Sequence, residues 1–269
     1  NQNSKNEKSY RTPIVVAALL HDVGHLAPGS HTAFKTWFPG KPDSHEEIAT
    51  RIIEEAEEIR SILDKCDPNL WKEVQAILNE DSSVPPWTWE IISGGGWNVD
   101  RGNWCILDSV LAGVSYGKYN IPAIIDSLSI ANDGHLVLQE NRIDSMVHFA
   151  VSRHAMYRQI YQHRVLLAAD TINTAIIKRA RDLSSAIPFR DEWMDNALNA
   201  DNPGDLTLNT IFRMRESWWR YHLHRWNVGD DFILSELSGR LLNRNLFKTV
   251  RVHSNEEHTD IIRKVTKLM

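Results

Sequence analysis

Residues 143 to 182 most constrain the fold, because this stretch has the pattern of long helices. Strand-like patterns are few and short. The run from Leu128 to Leu138 folds back at Asn132-Asp133-Gly134, which is a hairpin turn signal. A second segment, NLFKTVRV at 245–252, predicts a short C-terminal strand region. The sequence therefore predicts a mainly α fold with a small β-hairpin and one further short strand region.

The size and composition of the chain set the domain organisation. Its 269 residues are 42% hydrophobic, which is ample for a buried core. No linker rich in proline, glycine or serine divides it, so we expect a core over residues 10–200 and an extension over 201–269 that packs on this core. No apolar run is long enough to cross a membrane, and the first ten residues lack the apolar part of a signal peptide. We expect a cytoplasmic protein.

Charge and cysteine content narrow the class of partner. The net charge of −5 makes duplex nucleic acid an unfavourable partner but leaves room for a small phosphorylated ligand. The two cysteines, Cys66 and Cys105, form neither a disulfide framework nor a CxxC zinc motif. The chain begins with asparagine and a polar stretch, which predicts that it is an excerpt of a longer protein.

The stretch LLHDVGHLAPGSH at 19–31 places three histidines and an aspartate directly after apolar residues. Thr12-Pro13 predicts the start of a buried helix that carries His21 and Asp22 at its far end and ends or bends at Gly24. The glycines and prolines between Leu26 and Asp43 predict a loop. Ser44-His45-Glu46-Glu47 has the form of a capping box, which places His45 in the first turn of the next helix.

The His21-Asp22 pair suggests a metal site. Neighbouring side chains at a helix end can both reach one ion, and imidazole with carboxylate suits Mg, Mn, Fe, Zn or Ni. The alternative is a histidine at the negative end of a helix dipole beside a solvated aspartate. Several imidazoles next to an apolar helix favour the metal, because their burial costs free energy unless something binds them.

Four motifs, in order along residues 12–252, resemble those of the HD-domain metal-dependent phosphohydrolases. AALLHDVGH is similar to the signature of that family. NVDRGNWCILDSVLAGVSYGKY, SRHAMYRQIYQHR, and LTLNTIF followed by NRNLFKTV are similar to motifs of the subgroup that contains the deoxynucleoside triphosphate triphosphohydrolases. The resemblance implies an HD-domain helical core.

This resemblance implies a site for a divalent metal ion whose ligands are His21, Asp22 and Asp100. The family has a further ligand histidine about forty residues before the His-Asp pair, a position that precedes this sequence. His25 and His45 match positions beside the scissile phosphate, which implies a catalytic role in polarising the phosphate or protonating the leaving oxygen.

The same resemblance implies a set of substrate-binding residues. Three positions depart from the family pattern: Phe34 and Asn98 stand where aspartate is usual, and Trp104 stands in place of a tyrosine under the sugar. Arginines Arg158 and Arg164 are further, weaker candidates for phosphate contacts. The implied substrate-binding residues are His31, Arg101, Trp104, Asp108, Arg153, Tyr157, Tyr161 and Gln162.

The activity that the resemblance implies is metal-dependent hydrolysis of a deoxynucleoside triphosphate to deoxynucleoside and inorganic triphosphate. It also implies a homo-oligomer. Whether a second nucleotide regulates the enzyme allosterically is left open by the sequence. Two alternatives remain at this point: an HD phosphohydrolase for another nucleotide or nucleic acid, and a nucleotide-binding regulatory protein with impaired catalysis.

The glycine triplet at 94–96 is too short and generic to be a phosphate loop and predicts a flexible connector.

Overall fold

The computed structural model describes residues 9–29, 31–42, 45–250 and 252–266. Within these residues the chain is mainly α-helical and has one two-stranded antiparallel sheet, which confirms the predicted mainly α fold with a small hairpin. The first six helices are α1 (Arg11–Leu20), α2 (His31–Trp37), α3 (His45–Glu55), α4 (Glu57–Cys66), α5 (Leu70–Leu78) and α6 (Trp87–Glu90).

The central part of the chain contains the hairpin and the longest helix. Strands β1 (Leu128–Ile130) and β2 (Leu136–Leu138) pair with Leu128 opposite Leu138, as the Asn-Asp-Gly turn predicts. The helices of this part are α7 (Val99–Leu111), α8 (Ile121–Ile125), α9 (Ile143–Met156), which continues as a π-helical turn (Tyr157–Tyr161), and α10 (Arg164–Leu183).

The last described helices are α11 (Glu192–Asn199), α12 (Leu208–Arg213), α13 (Glu216–Asn227), α14 (Phe232–Leu242) and α15 (Asn255–Thr266). Helices α13 and α14 pack on each other, and α14 also packs on α10. The boundary at residue 200 remains a prediction, but the main hydrophobic cluster includes residues on both sides of it, such as Ile172 and Trp226. None of the described helices is both long and apolar enough to cross a membrane.

Three hydrophobic clusters hold the fold together. The largest cluster contains residues of α2, of α3 and of each helix from α10 through α14. Its centre is aromatic: the ring of Trp37 is edge-on to that of Trp219, with 6.0 Å between the ring centroids. A second cluster lies between α1 and α5. The third surrounds Cys105 and Phe149 under α7, α8 and α9, and burial raises the pKa of Cys105 to about 11. Cys105 is therefore a core thiol.

The predicted loop from Leu26 to Asp43 was wrong in part, because it contains α2. Ala33, Phe34 and Trp37 pack into the largest cluster, and the indole of Trp37 donates a hydrogen bond to the carbonyl of Ala27 at 2.7 Å. Burial of this face stabilises a helix between glycine and proline residues that would otherwise favour a loop. Phe34, which stands where the family has an aspartate, is a core residue.

Two further expectations need correction. The C-terminal strand at 245–252 does not form in its described residues, because the only described sheet is the β1–β2 hairpin and the segment has no strand to pair with. Helix α1 is buried on one face only: Ala17 is fully buried, whereas Leu19 is 74% exposed. It also begins at Arg11, two residues before Pro13, the expected first helical residue.

Acidification should destabilise the fold through His222 on α13. This imidazole is fully buried and donates from Nδ1 to the carbonyl of Trp218 at 3.0 Å. Burial lowers its pKa below the ordinary value of 6.5, so the folded state binds a proton less readily than the unfolded state. The contribution of neutral His222 to the free energy of unfolding is complete above about pH 6.5, and it is lost as the pH falls below this value.

Urea unfolding between pH 7.5 and pH 5 tests this prediction. The midpoint should fall towards pH 5 in the wild type, and His222→Gln should remove part of that fall. The matched control is His224→Gln, which changes an exposed histidine on the same helix. Equal pH dependence in His222→Gln and in the wild type would contradict the prediction.

Candidate metal centre

Three chain segments meet at the centre: the turn 21–24 after α1, the first turn of α3 and the first turn of α7. Gly24 allows the first two to approach. A Cβ atom at this position would overlap the carbonyl oxygen of His45 and lie 2.7 Å from the amide nitrogen of Ala49. The lack of a side chain at Gly24 therefore brings His45 next to the His21-Asp22 pair.

His21, Asp22 and Asp100 place one donor atom each within 4.8 Å of one another. His21 Nε2 lies 3.3 Å from Asp22 Oδ1 and 3.5 Å from Asp100 Oδ1. Ligands about 2.1 Å from a metal stand about 3.0 Å apart in an octahedron and about 3.4 Å apart in a tetrahedron. The spacing of these donors suits a divalent cation.

The hydrogen bonding of His21 tests the fit independently. Its Nδ1 lies 2.9 Å from the carbonyl of Ala18, so Nδ1 carries the proton and Nε2 presents a lone pair. Nε2 is buried and has no hydrogen-bond partner among the described residues. Burial lowers the pKa of His21, but Asp100 and Asp22 outweigh burial and raise it overall. The cluster attracts positive charge, and its donors fit a metal ion.

Asp22 also belongs to a second group of donors, with His25 and His45. Asp22 Oδ1 lies 3.3 Å from His25 Nε2 and 3.9 Å from His45 Nε2. The two imidazole rings stack at 4.0 Å between centroids with an interplanar angle of 18°. Burial raises the pKa of Asp22, but His25, His21 and His45 outweigh it, and the carboxyl has a lowered pKa. Asp22 is therefore the shared, ionised centre of both groups.

One face of α7 leads from this centre to an aromatic group. Asp100, Trp104 and Asp108 are four residues apart, so they share a face and span about 12 Å. The hydroxyl of Tyr161 donates a hydrogen bond to Asp108 Oδ2. Burial and this bond raise the pKa of Tyr161, which keeps the phenol neutral. The ring of Tyr161 is also edge-on to Trp104 at 5.2 Å.

Arg153 and Tyr157 face Trp104 from α9 and the π-helical turn. The guanidinium of Arg153 lies 4.8 Å from the centroid of Tyr157 and 5.9 Å from that of Trp104. Its Nη2 donates to the hydroxyl of Tyr157 at 3.4 Å, whereas its buried Nε has no hydrogen-bond partner among the described residues. Arg153 is thus held by aromatic rings with a donor still to be satisfied.

A cleft of about 540 Å³ opens beside this arginine, a size within the range of small-molecule sites. Gln162 lines it, and its role in substrate binding stays a prediction. Sequence reasoning missed His154 and gave Arg158 only a minor place, although the two lie four residues apart and so share a face. The cleft residues are Gly96, Met146, Phe149, Ala150, Arg153, His154, Tyr157, Arg158 and Gln162.

Hydrogen bonds anchor the glycine triplet, for which the sequence predicted a flexible connector. Asn98 is fully buried at the N-cap of α7, where its side-chain oxygen accepts from the amide of Arg101 at 2.7 Å. Its Nδ2 donates to the carbonyl of Gly94 at 2.8 Å. The guanidinium of Arg101 donates to the carbonyls of Gly94 and Gly95. The triplet is thereby tied to the helix that carries Asp100.

Asn98→Asp should therefore destabilise the protein, although aspartate is a good N-cap residue. The carboxylate keeps the acceptor for Arg101 but loses the donor to Gly94 in a fully buried position. We expect a loss of about 1–3 kcal/mol in the free energy of unfolding. Urea unfolding measures it, and Asn120→Asp at the exposed N-cap of α8 is the matched control. Equal stability of Asn98→Asp and the wild type would contradict this reasoning.

The structure leaves part of the predicted site undescribed. The side chain of His31 and the whole of Ser44, whose capping box was predicted, lie outside the described residues. Glu46, which sequence reasoning did not assign to the site, has Oε1 3.3 Å from His45 Nε2. In the sequence, the position of Glu46 next to His45 in the first turn of a helix could have indicated this contact.

Comparison with solved structures shows the class of fold. The chain matches a phosphohydrolase from Bacteroides thetaiotaomicron with a TM-score of 0.77 and 24% identity, over 98% of this chain and 66% of that one. It also matches a hypothetical protein from Aquifex aeolicus with a TM-score of 0.73 and 22% identity, over 96% of this chain and 63% of that one. The chain therefore shares the fold of these two proteins.

Curated sequences give more similar relatives. The uncharacterized protein YwfO of Bacillus subtilis is 29% identical over 254 residues, which is 93% of this chain and 56% of YwfO. The uncharacterized protein MJ1154 of Methanocaldococcus jannaschii is 27% identical over 222 residues, 81% of this chain and 43% of its own. The chain spans about half the length of the curated relatives it matches. No protein family profile matches the chain.

Proposed function

We propose that this chain belongs to a metal-dependent HD-type phosphohydrolase that converts deoxynucleoside triphosphates to deoxynucleoside and inorganic triphosphate. One observation carries the proposal. A single face of α7 connects the His21-Asp22-Asp100 cluster, through Trp104, to the cleft beside Arg153. This arrangement supports the proposal of a cation site and a nucleotide site that α7 connects. The shared fold with the phosphohydrolase from Bacteroides thetaiotaomicron supports the hydrolase class.

His21, Asp22 and Asp100 are the residues that would hold the divalent cation. When bound, such a cation supplies Lewis acidity towards a phosphate oxygen and lowers the pKa of a water molecule. The chain's own contribution is to orient the ligands. The carbonyl of Ala18 fixes the tautomer of His21, and the amide of Asp100 donates to the carbonyl of Ile92 at 3.4 Å.

His25 and His45 supply the acid in this proposal. Nε2 of both imidazoles lies within 3.9 Å of Asp22 Oδ1, and in this proposal a proton on Nε2 passes to the oxygen that leaves the α-phosphorus. Water adds at phosphorus and loses one proton to solvent, while the bond from phosphorus to the sugar 5′ oxygen breaks and that oxygen takes the proton from the imidazole. The ionised carboxylate of Asp22 lies beside both rings, with Oδ1 3.3 Å from Nε2 of His25 and 3.9 Å from Nε2 of His45.

The polyphosphate and the sugar are bound by different side chains. Arg153 and Arg101 would hold the outer phosphates, and the unsatisfied Nε of Arg153 supports this assignment. Trp104 would stack against the sugar, and the Asp108–Tyr161 pair would bind its 3′ hydroxyl. Gln162 and Tyr157 line the cleft where the base would lie. A homo-oligomer, regulation by a second nucleotide and a cytoplasmic location belong to the same proposal.

The test is an assay of the native full-length protein with Mg²⁺ or Mn²⁺ and each of the four deoxynucleoside triphosphates, with and without the other three as activators. We expect both deoxynucleoside and inorganic triphosphate, and neither product with Asp100→Ala. Release of pyrophosphate, or products that persist in Asp100→Ala, would contradict the proposal. Nucleotide binding without either product under any metal would instead favour the regulatory protein.

A further inference from the structure

The group formed by Asp22, His25 and His45 has the composition of a cation site in its own right. Each residue offers one donor atom, and the three atoms lie within 4.8 Å of one another. Nε2 of His25 and Nε2 of His45 lie 3.3 Å and 3.9 Å from the same oxygen, Asp22 Oδ1, and Nε2 of His45 also lies 3.3 Å from Glu46 Oε1. The histidine side chains are 15% exposed, so a cation from solvent can reach them. The group shares Asp22 with the cluster that contains His21 and Asp100.

We infer that Asp22, His25 and His45 bind a second cation, that this site selects Zn²⁺, and that its occupation inhibits the enzyme. Binding requires only the donor group, whereas inhibition rests on the proposed function. The closing experiment therefore measures the two separately.

The donors of the two groups differ in chemical character. The group of His21, Asp22 and Asp100 has one imidazole and two carboxylates, which suits the harder cations Mg²⁺ and Mn²⁺. The group of Asp22, His25 and His45 has two imidazoles and one carboxylate, a set that favours Zn²⁺. At equal concentrations, Zn²⁺ should therefore enter the second group in preference to Mg²⁺.

The distances allow this site with a small adjustment. Donors of a tetrahedral Zn²⁺ stand about 3.4 Å apart. The separation between His25 Nε2 and Asp22 Oδ1, 3.3 Å, already fits. The separation between His45 Nε2 and Asp22 Oδ1 is 3.9 Å, so this imidazole has to move by about 0.5 Å. Two cations that share the single carboxylate of Asp22 repel each other, so the second binds more weakly than the first.

Inhibition follows from the use of the same nitrogen atoms. In the proposed reaction, Nε2 of His25 or His45 must contact the leaving oxygen. A Zn²⁺ bound to Nε2 occupies the lone pair of that nitrogen and stands between it and the oxygen. The imidazole can then no longer contact the oxygen through that atom. Activity should therefore rise as Mn²⁺ fills the first group and fall as Zn²⁺ fills the second.

The first experiment measures binding by equilibrium dialysis and elemental analysis. The protein is loaded with one equivalent of Mn²⁺ and dialysed against increasing Zn²⁺. We expect one Mn²⁺ and one Zn²⁺ per chain in the wild type. In His25→Gln and His45→Gln the affinity for Zn²⁺ should fall at least about 100-fold while Mn²⁺ is retained. His135→Gln, which removes a histidine that contacts Glu90 at 2.6 Å outside the site, should leave Zn²⁺ binding unchanged.

Two binding outcomes overturn the inference: replacement of Mn²⁺ by Zn²⁺ one for one, and retention of the second equivalent in both His25→Gln and His45→Gln. If a variant does not fold, X-ray absorption at the zinc edge of the wild type decides the question. Two imidazole ligands per Zn²⁺ support the site, and one or none overturns it.

The second experiment follows hydrolysis in the same samples. We expect an at least tenfold loss of rate in the Mn²⁺-loaded wild type as the Zn²⁺ equivalent binds, with the same midpoint as the dialysis curve. An unchanged rate at full Zn²⁺ occupancy overturns the inhibitory role. Absence of hydrolysis with Mn²⁺ alone counts against the proposed function, and the dialysis result still decides the cation site.

Discussion

Asp22→Asn should give a folded protein that retains no divalent cation and hydrolyses no deoxynucleoside triphosphate. Asp22 Oδ1 lies 3.3 Å from His21 Nε2, 3.3 Å from His25 Nε2 and 3.9 Å from His45 Nε2. The substitution keeps the size of the side chain and removes its charge. Loss of an outer partner of a metal ligand already weakens binding about 10- to 100-fold, so loss of a ligand should exceed about 100-fold.

The structure also predicts that the fold survives this change. Asp22 is 53% exposed at the side chain, and the largest hydrophobic cluster does not include it. Substitutions at exposed positions usually change the free energy of unfolding by less than about 0.5 kcal/mol. The midpoint of urea unfolding without added metal should therefore stay close to that of the wild type.

Metal content, rate and unfolding are measured on the same preparation, with Glu46→Gln as the control. Glu46 Oε1 lies 3.3 Å from His45 Nε2 but belongs to neither three-residue group. Because it is an exposed partner of a single histidine, its loss should change the rate by no more than about threefold. A stoichiometric cation in Asp22→Asn, or equal losses in the two variants, would contradict the assignment of Asp22 to the centre.

Local sequence signals predicted the parts of the molecule in which short-range chemistry decides the structure. Asn132-Asp133-Gly134 specified the hairpin, and the apolar spacing after Val99 specified α7. The positions Asp100, Trp104 and Asp108 share a face for the same reason, since helical periodicity alone places residues four apart together. The roles of these residues stay predictions.

Tertiary contacts decided the parts of the structure that local signals did not predict. Glycine and proline residues around α2 favour a loop, and only the burial of Phe34 and Trp37 against residues far along the chain selects a helix. The glycine triplet is fixed because Asn98 donates to Gly94 from a buried cap. The partners of these groups depend on the packing of whole helices, which periodicity does not encode.

The contact between His25 and His45 also depends on the packing of helices. The two residues are twenty positions apart, and the predicted loop between them set no distance. Their rings stack at 4.0 Å because the backbone of α3 rests directly on Gly24. The sequence supplied both histidines, and the glycine beside one of them controls whether they meet.

Gly24→Ala should therefore separate these histidines and destabilise the protein. The added Cβ would overlap the carbonyl oxygen of His45 and lie 2.7 Å from the amide of Ala49, both of which are backbone atoms of α3. Such atoms cannot turn away as a flexible side chain can, so α3 has to shift. Overpacking of this kind costs typically 1–3 kcal/mol and sometimes more, and we expect a loss of at least about 3 kcal/mol in the free energy of unfolding.

The two halves of the centre should respond differently to this shift. His21, Asp22 and Asp100 lie on the turn after α1 and on α7, so a cation bound by them should remain at one equivalent in the folded fraction. His45 moves with α3, so hydrolysis should fall at least about tenfold, because an acid displaced by about 1 Å no longer reaches its oxygen. Gly204→Ala is the control, since a Cβ there meets no atom within 4 Å. Equal stability and equal rates in the two variants would mean that the approach of α3 to Gly24 does not position His45.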